Sequence, residues 1–181
     1  SGGKIHNPCV NKSDYQTTLF GKNIYLGFQH LKSLESKVAF SIETERKEHG
    51  AYRSLEDFIN RIPIGIEGIQ TLIFIGAFRF TGKRKNELLI IARLIMVNFK
   101  PENRSMLLLQ EPVKDYKLPV LERSPFEDAF DEIELLNFPV SVTPFNLLQT
   151  AYRGDVMARD LEQHHKKTVR MLAYLISRKH V

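Results

Sequence analysis

Apolar residues in the first half of the chain recur at intervals of three and four, the repeat of helices that bury one face. Phe28, Leu31 and Leu34 open the series. After a break at Ser33 to Ser36, Val38, Ala39 and Ile42 predict a second helix, stopped at His49-Gly50. Ser54 is an N-cap residue with Asp57 three positions on, and Leu55, Phe58, Ile59 and Ile62 would face the core until Pro63 ends that helix. Ile66, Ile69, Leu72, Ile73 and Ile75 predict a strongly buried helix. Gly76 to Gly82 reads as a tight turn bounded by glycines, and Lys83 to Phe99 as a long amphipathic helix with Leu88, Leu89, Ile91, Ala92, Ile95 and Met96 inward. Lys100-Pro101-Glu102-Asn103 stops it.

The flanks are less periodic. Asn7-Pro8, Asn11 to Asp14 and Phe20 to Asn23 are turn signals, so residues 4–27 read as an irregular lead with one extended piece at Ile24 to Phe28. Ser105 to Pro119 is an apolar patch followed by a proline-bounded linker on the surface. Ser124 caps a short acidic helix through Pro125, with Phe126, Ala129, Phe130, Ile133, Leu135 and Leu136 inward and Pro139 as its end. Pro144 opens another short helix through Leu148 and Tyr152. Thr168 to Ile176 is rich in β-formers and predicts a strand with no following partner, as at the start of a further domain.

Composition narrows the class. The chain has 181 residues, 43% hydrophobic and 26% charged, as in ordinary globular proteins and unlike disordered ones. The longest apolar run, Gly65 to Phe78, is too short and too interrupted by Glu67 and Gln70 to span a bilayer. No secretory signal is visible, Ser1-Gly2-Gly3 reads as an expression-tag remnant, and the single cysteine, Cys9, fits a reducing compartment; the expected location is cytoplasmic and away from membranes. The net charge of +5 is unevenly spread. Arg79 to Arg104 holds seven cations against two carboxylates, whereas Glu111 to Glu134 holds eight carboxylates against three cations. The first stretch suits an anionic partner, and the acids of the second read as the solvated side of a helix.

No constellation for catalysis or for a metal stands out. The six histidines form no helical metal pair, and His164 and His165 point apart on any regular element. There is no P-loop, no GxGxxG and no strand-borne Asp-x-Asp pair for two-metal nucleotidyl transfer. An independent hydrolase or nuclease is therefore disfavoured, and catalytic residues, metal ligands and cofactors are all expected to be none. The sharpest local feature is Gly76 to Lys85. Two helices joined by a glycine-bounded turn suit contact with a nucleic-acid backbone, because glycine permits close approach and the second helix begins with free N–H groups and a positive dipole end. Lys83, Arg84 and Lys85 stand where a phosphate would lie. Such contacts position DNA without reading its sequence. A plain helical hairpin with exposed basic residues accounts for the same spacing.

Several stretches in order resemble one family. Ser54-Leu55-Glu56-Asp57-Phe58, Leu72-Ile73-Phe74-Ile75-Gly76-Ala77-Phe78, Gly82 and Leu88-Leu89 are similar to the segment that follows the fingers of the bacterial DNA polymerase III alpha subunit, the replicative C-family polymerase. Asn11-Lys12-Ser13 and Tyr25 to Lys32 resemble the end of the fingers. Glu134 to Ser141 resembles a later motif of the family, and Thr168 to Arg178 the first strand of its oligonucleotide-binding (OB) domain. There are departures. The first hairpin, Leu31-Lys32-Ser33-Leu34-Glu35, lacks the family's glycines and carries Glu35 where an anion would be repelled. The second has Arg79 where the family often has Asp. The nearest counterpart of the clamp peptide, Ser105-Met106-Leu107-Leu108-Leu109, lacks the usual Gln and Phe.

The resemblance implies a mainly α fold: a helical bundle with helix-hairpin-helix elements, an extended N-terminal lead and a short C-terminal β stub. It divides the chain into a lead at 1–23, a helix-hairpin-helix DNA-binding region at 24–104, a clamp-binding and linker region at 105–152, and the start of a truncated OB-like domain at 153–181. The polymerase aspartates, which would make the parent a nucleotidyltransferase, fall outside this segment. The implied role is non-catalytic support of DNA replication. Gly76, Arg79, Thr81, Gly82, Lys83, Arg84 and Lys85 would hold the backbone of duplex or primer–template DNA. Ser105, Met106, Leu107, Leu108 and Leu109 would dock on the sliding clamp, and other replisome subunits are further possible partners. The rival expectation is a helical protein-interaction module without DNA affinity.

Overall fold

The computed structural model describes residues 2–98 and 126–175. The chain divides into two compact units, Ser1–Ser141 and Val142–Val181.

The N-terminal lead is more ordered than its turn signals predict. Strands β1 (Lys4–His6), β2 (Thr18–Phe20) and β3 (Asn23–Tyr25) form a sheet in the order β1-β3-β2. β2 and β3 are antiparallel, joined by a tight turn in which Gly21 takes a φ of +60°, and β1 runs parallel to β3. Strands of three residues are too short to show a period of two, so spacing alone left them unread. The loop between β1 and β2 passes directly over Gly27. Phe28 and Gln29 donate backbone hydrogen bonds to Asp14 and Tyr15, at 3.1 and 3.0 Å, and a Cβ on Gly27 would meet Gln16 backbone at 2.4 Å. Any side chain there would push the loop away.

Among the described residues, five α-helices follow the sheet in this unit: α1 (Ser36–His49), α2 (Leu55–Arg61), α3 (Ile66–Phe74), α4 (Lys85–Asn98) and α5 (Glu127–Leu136). The Phe28, Leu31, Leu34 series is a short 3-10 turn at Phe28–His30 and not an α-helix, because a spacing of three fits both forms. Gly50 ends α1 with a φ of +81°. Ser54 caps α2 as expected: its hydroxyl accepts from Asp57 N–H at 3.1 Å, while the Asp57 carboxylate reaches back to Arg53 N–H at 2.9 Å. α4 begins two residues later than its pattern predicts, after the Gly82 turn.

The apolar faces of these helices meet in one core that includes Phe28, Ile42, Leu55, Phe58, Ile69, Leu72, Ile73 and Phe78. Tyr52, Phe58 and Phe78 form an edge-to-face series with neighbouring centroids 5.0 Å apart. The buried Tyr52 hydroxyl donates to Ile42 carbonyl at 2.9 Å, and burial pushes its pKa up to about 12. The loop before β2 is tied to this core by polar groups. Asn11 exchanges two hydrogen bonds with the Tyr52 backbone, at 2.8 and 2.9 Å. Arg46 donates to Val10 and Ser13 carbonyls at 2.6 and 2.7 Å and pairs with Asp14.

The described residues of the unit Val142–Val181, 142–175, are built from irregular backbone. The helix expected from Pro144 to Tyr152 is a 3-10 turn at Pro144–Leu147, followed by a second at Ala158–His164. Arg153 organises the loop between them, donating to Thr150 and Phe145 carbonyls at 2.6 and 3.0 Å. Over its described residues, 168–175, the strand expected up to Ile176 is reduced to a single antiparallel bridge, Met171 with Gly154, and Ile176 lies outside the described residues. It does have a partner, and that partner precedes it in the chain. Gly154 allows the approach: its φ is +91°, and an added Cβ would lie 3.0 Å from Arg170 carbonyl.

Candidate nucleic-acid interface

The turn between α3 and α4 is the site the spacing singled out. α3 closes through paired backbone bonds, Gly76 N–H to Ile73 carbonyl at 2.9 Å and Ala77 N–H to Leu72 carbonyl at 2.8 Å, with Gly76 at a φ of +78°. The Arg79 side chain folds across the buried Gly76, its Nε 2.6 Å from where a Cβ would stand. A 3-10 turn at Arg79–Thr81 leads to Gly82, at a φ of +70° and open to solvent. Thr81 locks this turn. Its hydroxyl donates to Phe78 carbonyl at 2.8 Å and accepts from Lys83 N–H at 3.3 Å.

The cations around this turn are not equivalent. Lys83 and Arg84 are exposed. Lys85 is only 13% exposed at its side chain, and its ammonium is held between Asp128, at 2.7 Å, and Asp131. Arg79 lies between these extremes, half exposed and 3.4 Å from Asp128. The start of α4 also differs from expectation: Glu87 accepts from Arg84 N–H at 3.0 Å, so a carboxylate already sits where a phosphate was expected.

The partner of these cations is α5, whose acids do not form the solvated face that its pattern suggested. Asp128 and Asp131 face the turn, and Glu132 is 1% exposed. Both Glu132 oxygens are occupied. Oε1 accepts from Asn7 Nδ2 at 2.6 Å, while Oε2 accepts from the backbone N–H groups of Val140 and Ser141 at 2.6 and 2.7 Å and from the Ser141 hydroxyl at 3.0 Å. Ala129 and Leu136 are inward as expected. Phe130, at 62% exposure, and Ile133, at 37%, face outward instead. The signal that could have revealed this arrangement is charge: the basic cluster at Arg79 to Lys85 and the acidic one at Glu127 to Glu134 complement each other. Ser124 and Pro125 lie outside the described residues, as do Ser105, Met106, Leu107, Leu108 and Leu109.

The first hairpin offers less to an anion. Lys32 donates to Asn137 at 3.1 Å, and the cleft of about 380 Å³ beside it is lined by Glu67 and Glu134 as well as Ser33, Thr71 and Phe74. Among the described residues, Glu45, Glu48 and His49 bring possible metal-ligand atoms within 4.8 Å of one another. Glu45 is already shared between Arg61 and His49, each at 3.0 Å, so this is an ion-pair cluster on the surface of α1.

Residues 2–88, which run from β1 into α4, match the family model of a helix-hairpin-helix motif. The chain is 29% identical over 184 aligned positions to the DNA polymerase III subunit alpha of Aquifex aeolicus, covering 97% of this chain and 15% of that protein. It is 28% identical to the corresponding subunit of Thermus aquaticus, over 72% of this chain and 11% of that one. The chain resembles a segment of the DNA polymerase III alpha subunits. It spans a small part of their length, and an error-prone DNA polymerase of Mycobacterium tuberculosis shares 29% identity over 49% of the chain. Set against the alpha subunits, the helix-hairpin-helix match covers the sheet, α1 to α3 and the Gly76–Gly82 turn.

Proposed function

We propose that this chain is a DNA-holding, replication-related segment of a polymerase of the DNA polymerase III alpha type, and that it grips the backbone of duplex or primer–template DNA at the turn between α3 and α4. The observation that carries this reading is the exposed pair Lys83 and Arg84, beside the open Gly82 of a helix-hairpin-helix. Gly82 leaves the backbone accessible, the two cations supply the attraction, and Arg79 and Thr81 shape the approach. Lys85 contributes mainly to the packing of α5. In this reading the segment is non-catalytic and works in the cytoplasm. Ser105, Met106, Leu107, Leu108 and Leu109 add a tether to the sliding clamp by inserting apolar anchors into a preformed pocket.

The test is fluorescence anisotropy of a labelled primer–template duplex, titrated with the whole chain at several salt concentrations. Lys83→Ala with Arg84→Ala should weaken binding severalfold and flatten the salt dependence by about two contacts' worth, a change of about 1.8 in log–log slope. Equal affinity for the variant and the unaltered chain would overturn the assignment. A second reading, a protein-docking module, is favoured by the outward Phe130 and Ile133 on α5. It is the one to keep if the unaltered chain shows no duplex binding at low salt.

A further inference from the structure

We infer that the N-terminal sheet is a platform for single-stranded nucleic acid, separate from the duplex-facing turn at Gly82. Residues paired across a sheet share a face. The registers Lys4–Asn23–Phe20 and His6–Tyr25–Thr18 therefore put His6, Phe20 and Tyr25 together on one side with Lys4. The rings form a continuous row. His6 stacks on Tyr25 with centroids 4.7 Å apart, and Phe20 meets Tyr25 edge-on at 5.9 Å. Asn23 holds His6 in place through a 2.9 Å hydrogen bond to Nε2. Phe20 ends the row and is 52% exposed, although it is among the largest apolar side chains available for burial.

Charge identifies the occupant. Residues 2–27 contain three cations, Lys4, Lys12 and Lys22, all exposed, and one carboxylate, Asp14, which Arg46 neutralises. Lys12 stands over the Phe20 ring at 5.8 Å, so a cation and a stacking surface lie within reach of one nucleotide. An exposed ring beside cations that have no ion-pair partner among the described residues is the pairing that sequence-tolerant single-strand binders use: the ring stacks a base and the ammonium groups take the phosphates. A duplex keeps its bases stacked inside and gains nothing from the ring. An acidic peptide would use the lysines and leave Phe20 indifferent.

The experiment measures anisotropy of a short fluorescein-labelled oligothymidylate against the whole chain, beside a duplex of equal length. Phe20→Ala should lower affinity for the single strand by about fivefold or more and leave duplex affinity unchanged. Phe20→Tyr, which keeps the ring, should retain binding. Lys12→Ala with Lys22→Ala should reduce the single-strand salt slope by about 1.4. The proposal is overturned if the unaltered chain does not bind oligothymidylate at low salt, if Phe20→Ala binds as well as the unaltered chain, or if Lys83→Ala with Arg84→Ala abolishes single-strand binding. A circular-dichroism melt confirms that each variant is folded, which the exposure of Phe20, Lys12 and Lys22 makes the expected result.

Discussion

Glu132 occupies a core position with a charge. A buried carboxylate is tolerated only where its desolvation is repaid by hydrogen bonds, and this one accepts four, from Asn7, Val140 and Ser141. It thereby joins the end of β1, α5 and the chain that follows α5. Glu132→Ala leaves those donors without a partner and should lower the stability of the chain by about 3 kcal/mol, read as a shift of the urea midpoint. Glu132→Gln should cost less than half of that. Asn7 Oδ1 is buried without a hydrogen-bond partner, so rotation of the Asn7 amide would present an acceptor to the new NH₂ group while the Gln oxygen keeps Val140 and Ser141. Equal losses for the two variants would mean that the charge itself, and not the acceptor geometry, holds the site.

At the scale of elements, α5 and the α3–α4 turn form an electrostatic pair. Asp128 and Asp131 take Lys85 out of solvent, which limits what the turn can offer to DNA. Asp128→Asn with Asp131→Asn should free that ammonium, raising duplex affinity severalfold at low salt while lowering stability by about 1–2 kcal/mol. Unchanged affinity would show that Lys85 cannot reach a phosphate even when released. This pairing also marks how far sequence reading went. α1 to α4 were legible because the apolar residues of each, such as Ile42, Phe58, Leu72 and Leu88, recur on a single stripe, with Gly50, Ser54 and Pro63 marking boundaries. α5 was legible as a helix but not in its orientation. It has apolar residues on two sides, Ala129 with Leu136 and Phe130 with Ile133, and periodicity cannot say which side meets the core. The choice was made by Glu132 and Asp131, through partners distant in sequence. The sheet escaped for a related reason: β1 pairs with β3 across the loop and β2 that separate them in sequence.

For the molecule as a whole, burial is concentrated in one unit. Every buried hydrophobic side chain among the described residues belongs to Ser1–Ser141, and the residues of Val142–Val181 include exposed Leu148, Tyr152, Met157 and Leu161. Neither the +5 charge nor the mixed composition marks this division, because the second unit is no poorer in apolar residues; what it lacks is a periodic arrangement that could bury them. With turns and one bridge to hold its described residues, the second unit should open at little cost, whereas opening α3 or α4 exposes the shared core. Native-state hydrogen exchange tests this directly. Amides of 142–175 should exchange at early times, and those of Ile69 to Ile73 and Leu88 to Ala92 only with global unfolding. Their sensitivities to urea should differ in the same sense, because a local opening exposes little surface and a global one exposes the core. Protection of both units to the same level, with the same urea dependence, would mean that they unfold together and that the second unit draws its stability from the first.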